Sequence, residues 1–137
     1  MPSLTGVLET AIYVDDLDRA SCFYEELFTL TRIEGDERFR AYSVGGRSVL
    51  LLFKRGASNH VTQLPFGKMG PHDGSGSLHL AFSISMEDLP GWEKLLTEKK
   101  IAIESRVRWP RGGTSLYFRD PDSNLVELAT PGVWSIY

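Results

Sequence analysis

Along residues 8–14, Leu8, Ile12 and Val14 alternate with Glu9, Ala11 and Tyr13, the two-residue period of a strand with two distinct faces. Asp15-Asp16 then offers an N-cap, and Leu17, Ala20, Phe23, Tyr24, Leu27 and Phe28 recur at helical spacing. This predicts a helix to about residue 28, laid across one face of the sheet. Extended segments follow at roughly 29–34, 38–44 and 47–54, the last two joined by Gly45-Gly46, a dipeptide that supplies positive φ for a tight hairpin. Residues 55–76 show no period and read as one long loop of the kind that covers a site or stays mobile. From Ser77 to Ile84 the alternation returns, and Asp88 to about Lys99 reads as a helix through Leu89, Trp92, Leu95 and Leu96, with Pro90 in its first turn. Extended segments at about 101–108, 114–119 and 125–130 close the chain. Each half reads β-α-β-β-β.

The halves overlay, which points to an old duplication. Leu8, Glu9, Ala11, Ile12 and Val14 match Leu78, His79, Ala81, Phe82 and Ile84 at one offset, and Leu17, Ala20, Phe23 and Tyr24 match Leu89, Trp92, Leu95 and Leu96 at a slightly larger one. Glu9 and His79 thus fall at equivalent positions, facing away from their helices. Between residues 118 and 128, Asp120-Pro121-Asp122-Ser123-Asn124 is strong turn chemistry, and the following Leu-Val-Glu-Leu-Ala run places Glu127 among apolar neighbours. Such a carboxylate is either a strand glutamate paired with water or arginine, or a metal ligand or catalytic base. The overlay puts Leu51 at the position equivalent to Glu127.

Composition narrows the class. The 137 residues, 42% of them apolar, suffice for one compact domain or two small halves sharing a core. A net charge of −3, with Lys and Arg scattered among acids, offers no basic stripe for nucleic acid or anionic lipid, so the expected partner is a small molecule or another protein. No apolar run is long enough to span a bilayer, and the first residues lack a charged region followed by an apolar one; a soluble, cytoplasmic protein is expected. Cys22, the single cysteine, excludes an internal disulfide and a thiolate-rich zinc site, and is expected as a packed thiol.

The stretches Ala11 to Ala20, Phe23-Tyr24, His79 to Phe82, and Phe118 to Asn124 with Glu127, in this order and spacing, resemble the vicinal oxygen chelate superfamily. That group includes glyoxalase I, bleomycin- and fosfomycin-resistance proteins, methylmalonyl-CoA epimerase and extradiol dioxygenases. The resemblance implies an α+β fold in which two βαβββ modules form a half-open mixed-sheet barrel. It frames residues 1–137 as one domain, with module one at about 6–54, a linker at 55–76 and module two at about 77–131. It also implies one divalent metal per site, held by Glu9, His79 and Glu127, with Glu9 standing where many members have His. Leu51 occupies the fourth position, and Ser123 replaces a frequent Gly in the turn. One imidazole and two carboxylates suit Mn or Mg, with Fe, Ni or Zn as other candidates, and leave about three positions of an octahedral ion for water and substrate.

On this footing the expected function is metal-dependent chemistry on an oxygen-rich small molecule: lyase, isomerase, ring-opening or dioxygenase. Glu9 and Glu127 are the candidate proton-moving carboxylates and Tyr117 the third catalytic candidate. Tyr13, Arg40, Tyr42, Arg106, Arg108 and Trp109 are further candidates to line the pocket. Residues 109–118 resemble the thiol-transferase and epoxide-hydrolase types of fosfomycin-resistance proteins. The superfamily also implies a homodimer, with sites drawing on both subunits. The competing readings are a metal-free module that sequesters a drug-like compound, and a sensor or scaffold that has lost turnover. His60 and His72 read as solvated loop histidines, with lid or proton-transfer duty as the other reading.

Overall fold

The computed structural model describes residues 1–137. By its contacts the chain divides into two compact units, 1–75 and 76–137. The first contains β1 (Glu9–Val14), α1 (Leu17–Phe28), β2 (Thr31–Gly35), β3 (Phe39–Val44), β4 (Ser48–Lys54), β5 (Thr62–Leu64) and β6 (Gly67–Met69). The second contains β7 (His79–Ser83), α2 (Leu89–Glu98), β8 (Ser105–Arg108), β9 (Thr114–Arg119) and β10 (Leu125–Ala129).

In the first unit the sheet order is β1-β4-β3-β2, with β1 parallel to β4 and the other pairs antiparallel. Alternation divides its two faces. Ile12, Val14, Tyr42, Leu50 and Leu52 are buried together with Leu17, Ala20, Tyr24 and Leu27 of α1, which lies against β3 and β4. The Val, Leu and Ile side chains among them, fully buried, each contribute roughly 1.5–3 kcal/mol. Asp16 caps α1 as its pattern predicts, accepting from the Arg19 N–H at 3.1 Å, and Thr29 ends it in the left-handed region. The β3–β4 hairpin closes through Gly45 and Gly46 at φ 60° and 67°, with Arg47 N–H donating to Val44 O. Both central residues of this tight turn need positive φ.

Two expectations fail here. The segment 55–76 is not a structureless loop, because β5 and β6 pair antiparallel within it as a short hairpin. Three-residue strands are too brief to leave a readable period. Cys22 is exposed rather than packed, since α1 turns Ser21 inward in its place.

In the second unit the order is β7-β10-β9-β8, the same topology, with β7 parallel to β10. Leu80, Leu116, Phe118, Val126 and Leu128 are buried on one face, and Leu96 of α2 is fully buried. Pro90 sits in the first turn of α2 as expected. The region read as a strand from 101 forms its ladder only at 105–108. The duplicated register is visible in the ladders: Ala11 stands opposite Leu51 in the first unit, and Ala81 opposite Glu127 in the second.

Candidate metal centre

The turn before β10 is built from its own side chains. Asp120 Oδ1 accepts the Asp122 and Asn124 N–H groups, both at 2.9 Å, and its Oδ2 accepts Asn124 Nδ2 at 3.0 Å. Asn124 Oδ1 in turn accepts the Leu78 N–H at 2.9 Å, and Leu125 N–H donates to Leu78 O at 2.7 Å. The turn is therefore fastened to the residue before His79. Ser123 adopts φ 64°, the left-handed conformation a Gly would take more easily.

Fixed in this way, β7 and β10 put His79 opposite Leu125 and Glu127 opposite Ala81, with both functional side chains on the face away from the buried core. His79 Nδ1 lies 2.9 Å from Leu125 O. A carbonyl oxygen only accepts, so Nδ1 carries a proton, and in a neutral ring the lone pair is then on Nε2. Nε2 lies 3.3 Å from Glu127 Oε2. A lone pair facing a carboxylate oxygen is repulsive unless a proton or a cation lies between them. Two ligands ~2.1 Å from one octahedral ion stand about 3.0 Å apart when at right angles, so this donor pair fits a divalent metal. The carbonyl that orients the imidazole is the usual kind of supporting contact for a ligating histidine.

The other carboxylate oxygen is already engaged. Ser115 Oγ donates to Glu127 Oε1 at 2.5 Å and Tyr117 OH donates to it at 3.0 Å. Trp109 Nε1 donates to Ser115 Oγ at 2.8 Å. Glu127 is 7% exposed and Ser115 fully buried, so water does not compete strongly for these contacts. Burial, then the hydrogen bond to Glu127 and its charge, raise the Tyr117 pKa above 10.0. The phenol is neutral across the physiological range, and its ring lies 6.3 Å from that of His79.

Glu9 lies at the start of β1, exposed and opposite Val49, on the face of the first unit that carries Ala11 and Tyr13. No three His, Cys, Asp or Glu side chains of the chain form a metal-holding group. His79 and Glu127 are the pair brought together.

Several proposed pocket residues belong elsewhere. Arg40 and Tyr42 share the helix-side face of β3: Tyr42 is buried and donates to Glu25 at 2.9 Å, and Arg40 pairs with Asp18 at 3.3 Å, both partners on α1. Arg106 pairs with Glu93 of α2 at 3.1 Å, and Arg108 has the same parity on β8. Tyr13 does lie on the Glu9 face, where its hydroxyl is 2.7 Å from His72 Nδ1. His72 is no solvated histidine, since its ring packs edge-on against Phe53 at 4.5 Å; His60 is exposed as expected. Ser115 escaped the sequence reading, although its position two residues before Tyr117 puts it on the same face.

A family model, the Glyoxalase/Bleomycin resistance protein/Dioxygenase superfamily, matches residues 6–128. The chain belongs to this superfamily. It is 30% identical over 132 residues to the metallothiol transferase FosB of Bacillus licheniformis, covering 96% of this chain and 79% of the relative. Among solved structures it is similar to the lactoylglutathione lyase from Agrobacterium tumefaciens, at 29% identity and TM-score 0.89, covering 98% and 99% of the two chains. The fosfomycin resistance protein FosX from Mesorhizobium loti shares the fold at 20% identity and TM-score 0.64, with 93% of each chain covered. No helix is long and apolar enough to cross a membrane.

Proposed function

We propose that the chain is a divalent-metal-dependent enzyme acting on a small oxygen-rich substrate, with His79 and Glu127 as two ligands and Glu9 as the third. The observation that carries this is the oriented imidazole: Nδ1 is committed to Leu125 O, which leaves Nε2 facing Glu127 Oε2 at 3.3 Å. A bound divalent ion would supply Lewis-acid stabilisation of a developing oxyanion. His79 and Glu127 would hold that ion, and Ser115 and Tyr117, both donating to Glu127 Oε1, would leave its other carboxylate oxygen for it. Glu9, exposed on its strand, would complete the ligand set and use its second carboxylate oxygen to take a proton from substrate. We assign Glu9 to the partner subunit of a homodimer, so that two equivalent sites follow from two-fold symmetry.

The FosB and lactoylglutathione lyase relatives are both named for thiol chemistry, which supports a low-molecular-weight thiol as co-substrate. Thiol-dependent ring opening of a small electrophile is therefore the first reaction to assay, followed by lyase, isomerase and dioxygenase reactions. The single cysteine and this thiol chemistry suit a reducing compartment, the cytoplasm.

Elemental analysis of protein purified without chelator, with thermal shift in Mn, Fe, Ni, Zn and Mg salts, tests the reading. One divalent ion per subunit is expected, and its stabilising effect should vanish in His79→Ala and Glu127→Ala. Failure to take up any of these ions would overturn it. The same 3.3 Å contact also suits an imidazolium–carboxylate ion pair, which is the metal-free binding alternative. That alternative predicts stabilisation by apolar drug-like compounds with all metals removed.

A further inference from the structure

We infer that Trp109 is a positioning residue for Glu127, acting through Ser115; this rests on the reading of Glu127 as a metal ligand. An indole N–H can only donate, so the 2.8 Å contact makes Ser115 Oγ the acceptor. The serine's own proton is thereby directed along the 2.5 Å contact to Glu127 Oε1. With Tyr117 donating to the same oxygen, Oε1 is filled and Oε2 is the atom presented to His79. The terminal torsion of a glutamate is broad, so two convergent donors on one oxygen fix an orientation the side chain does not select by itself.

The backbone that carries the indole is itself firmly held. The Trp109 backbone N–H donates to Gly113 O at 2.8 Å, Gly112 N–H returns to Trp109 O at 2.9 Å, and Gly113 N–H donates to Gly132 O at 3.2 Å. A Cβ on Gly113 would come within 2.6 Å of the Gly132 carbonyl carbon, so the backbone approach that holds this loop admits only glycine. The first unit provides a comparison. Glu127 corresponds there to Leu51, and the ladder partners corresponding to Ser115 and Tyr117 are Phe39 and Ala41. The hydroxyl donors occur where the carboxylate occurs and are missing where it is missing. Packing alone does not require that correlation.

Trp109→Phe keeps an aromatic ring and removes the N–H. Mn²⁺ affinity, measured by calorimetry on folded metal-free protein, should fall about 3- to 10-fold, below the full effect of a direct supporting partner. In a Ser115→Ala background the same substitution should have no further effect, because the route to Glu127 is already cut. A fall that persists in that background would show a packing role and overturn the inference, as would unchanged affinity in Trp109→Phe. A second readout uses no metal: the Trp109 indole N–H resonance should move on Glu127→Gln, while those of Trp92 and Trp134 do not. If wild-type protein takes up no divalent ion, the proposed function fails, and this resonance alone decides the positioning role. An unmoved resonance overturns it.

Discussion

Leu51 and Glu127 stand on the same rung of equivalent ladders, each opposite an alanine of the parallel first strand, Ala11 in one unit and Ala81 in the other. His79 and Glu127 meet because of this register, so a carboxylate at position 51 would stand to Glu9 as Glu127 stands to His79.

Leu51→Glu should therefore create a second donor pair, this time of two carboxylates. Metal-free protein should lose about 1 kcal/mol or more, from lost apolar burial and from like-charge repulsion with Glu9. Divalent metal should bind more tightly than in wild type, and turnover should fall because a position open to substrate is taken. Thermal shift with and without metal, paired with steady-state kinetics, checks both halves. Unchanged metal affinity and turnover would mean that position 51 does not face the ion.

Asn124 joins the turn to β7, since its side chain accepts the Leu78 N–H while its amide donates to Asp120. Both Asn124 and Asp120 are buried, so truncating either leaves polar groups without partners and costs about 1–3 kcal/mol per group. Asn124→Ala should lower stability by that order in denaturant titration and also weaken metal binding, because Leu78 precedes His79. Lost stability with unaltered metal affinity would show that the turn does not position the histidine.

How much of this was legible in sequence depends on period. The alternation in β1, the N-cap and spacing of α1, and the Asp-Pro turn before β10 are local signals, and their elements form where expected. The overlay puts His79, like Glu9, on the face away from its helix, whereas the grouping of Glu127 with His79 comes from the superfamily resemblance. Arg40, Tyr42, Arg106 and Arg108 have the side-chain chemistry of pocket residues, but even spacing puts each pair on the helix side of its strand. Trp109 lies beyond the end of β8, where the two-residue period stops, and its hydrogen bond to Ser115 depends on how the following loop folds back. No periodicity encodes that.

Glu25 makes the first unit sensitive to acid. Burial opposes its charged form, but hydrogen bonds from Arg32 and Tyr42 and the Arg32 and Arg40 charges outweigh burial and lower its pKa below 4.5. A folded-state value below the unfolded one means that this contribution is complete above pH 4.5 and lost as pH falls through the folded value. Glu25→Gln should flatten the acid side of the stability profile below that point and leave the alkaline side unchanged. Denaturant titrations from pH 3 to pH 7 check this; parallel profiles for the two proteins would contradict it.

The assignment of Glu9 to the partner subunit has a consequence that single variants cannot reveal. Glu9→Ala and Glu127→Ala should each be inactive alone, because every site in either homodimer lacks one ligand. After the two are mixed and exchanged, a hybrid dimer draws Glu9 and Glu127 for each site from different chains. One of its sites then lacks both carboxylates, and the other carries Glu9 from the Glu127→Ala chain and Glu127 from the Glu9→Ala chain. Random exchange makes half the dimers hybrid, so roughly a quarter of wild-type activity should return for two-fold symmetric sharing. Sites built within one chain would remain damaged in every combination. Native mass spectrometry can verify exchange, and its occurrence without recovered activity would rule out the shared site.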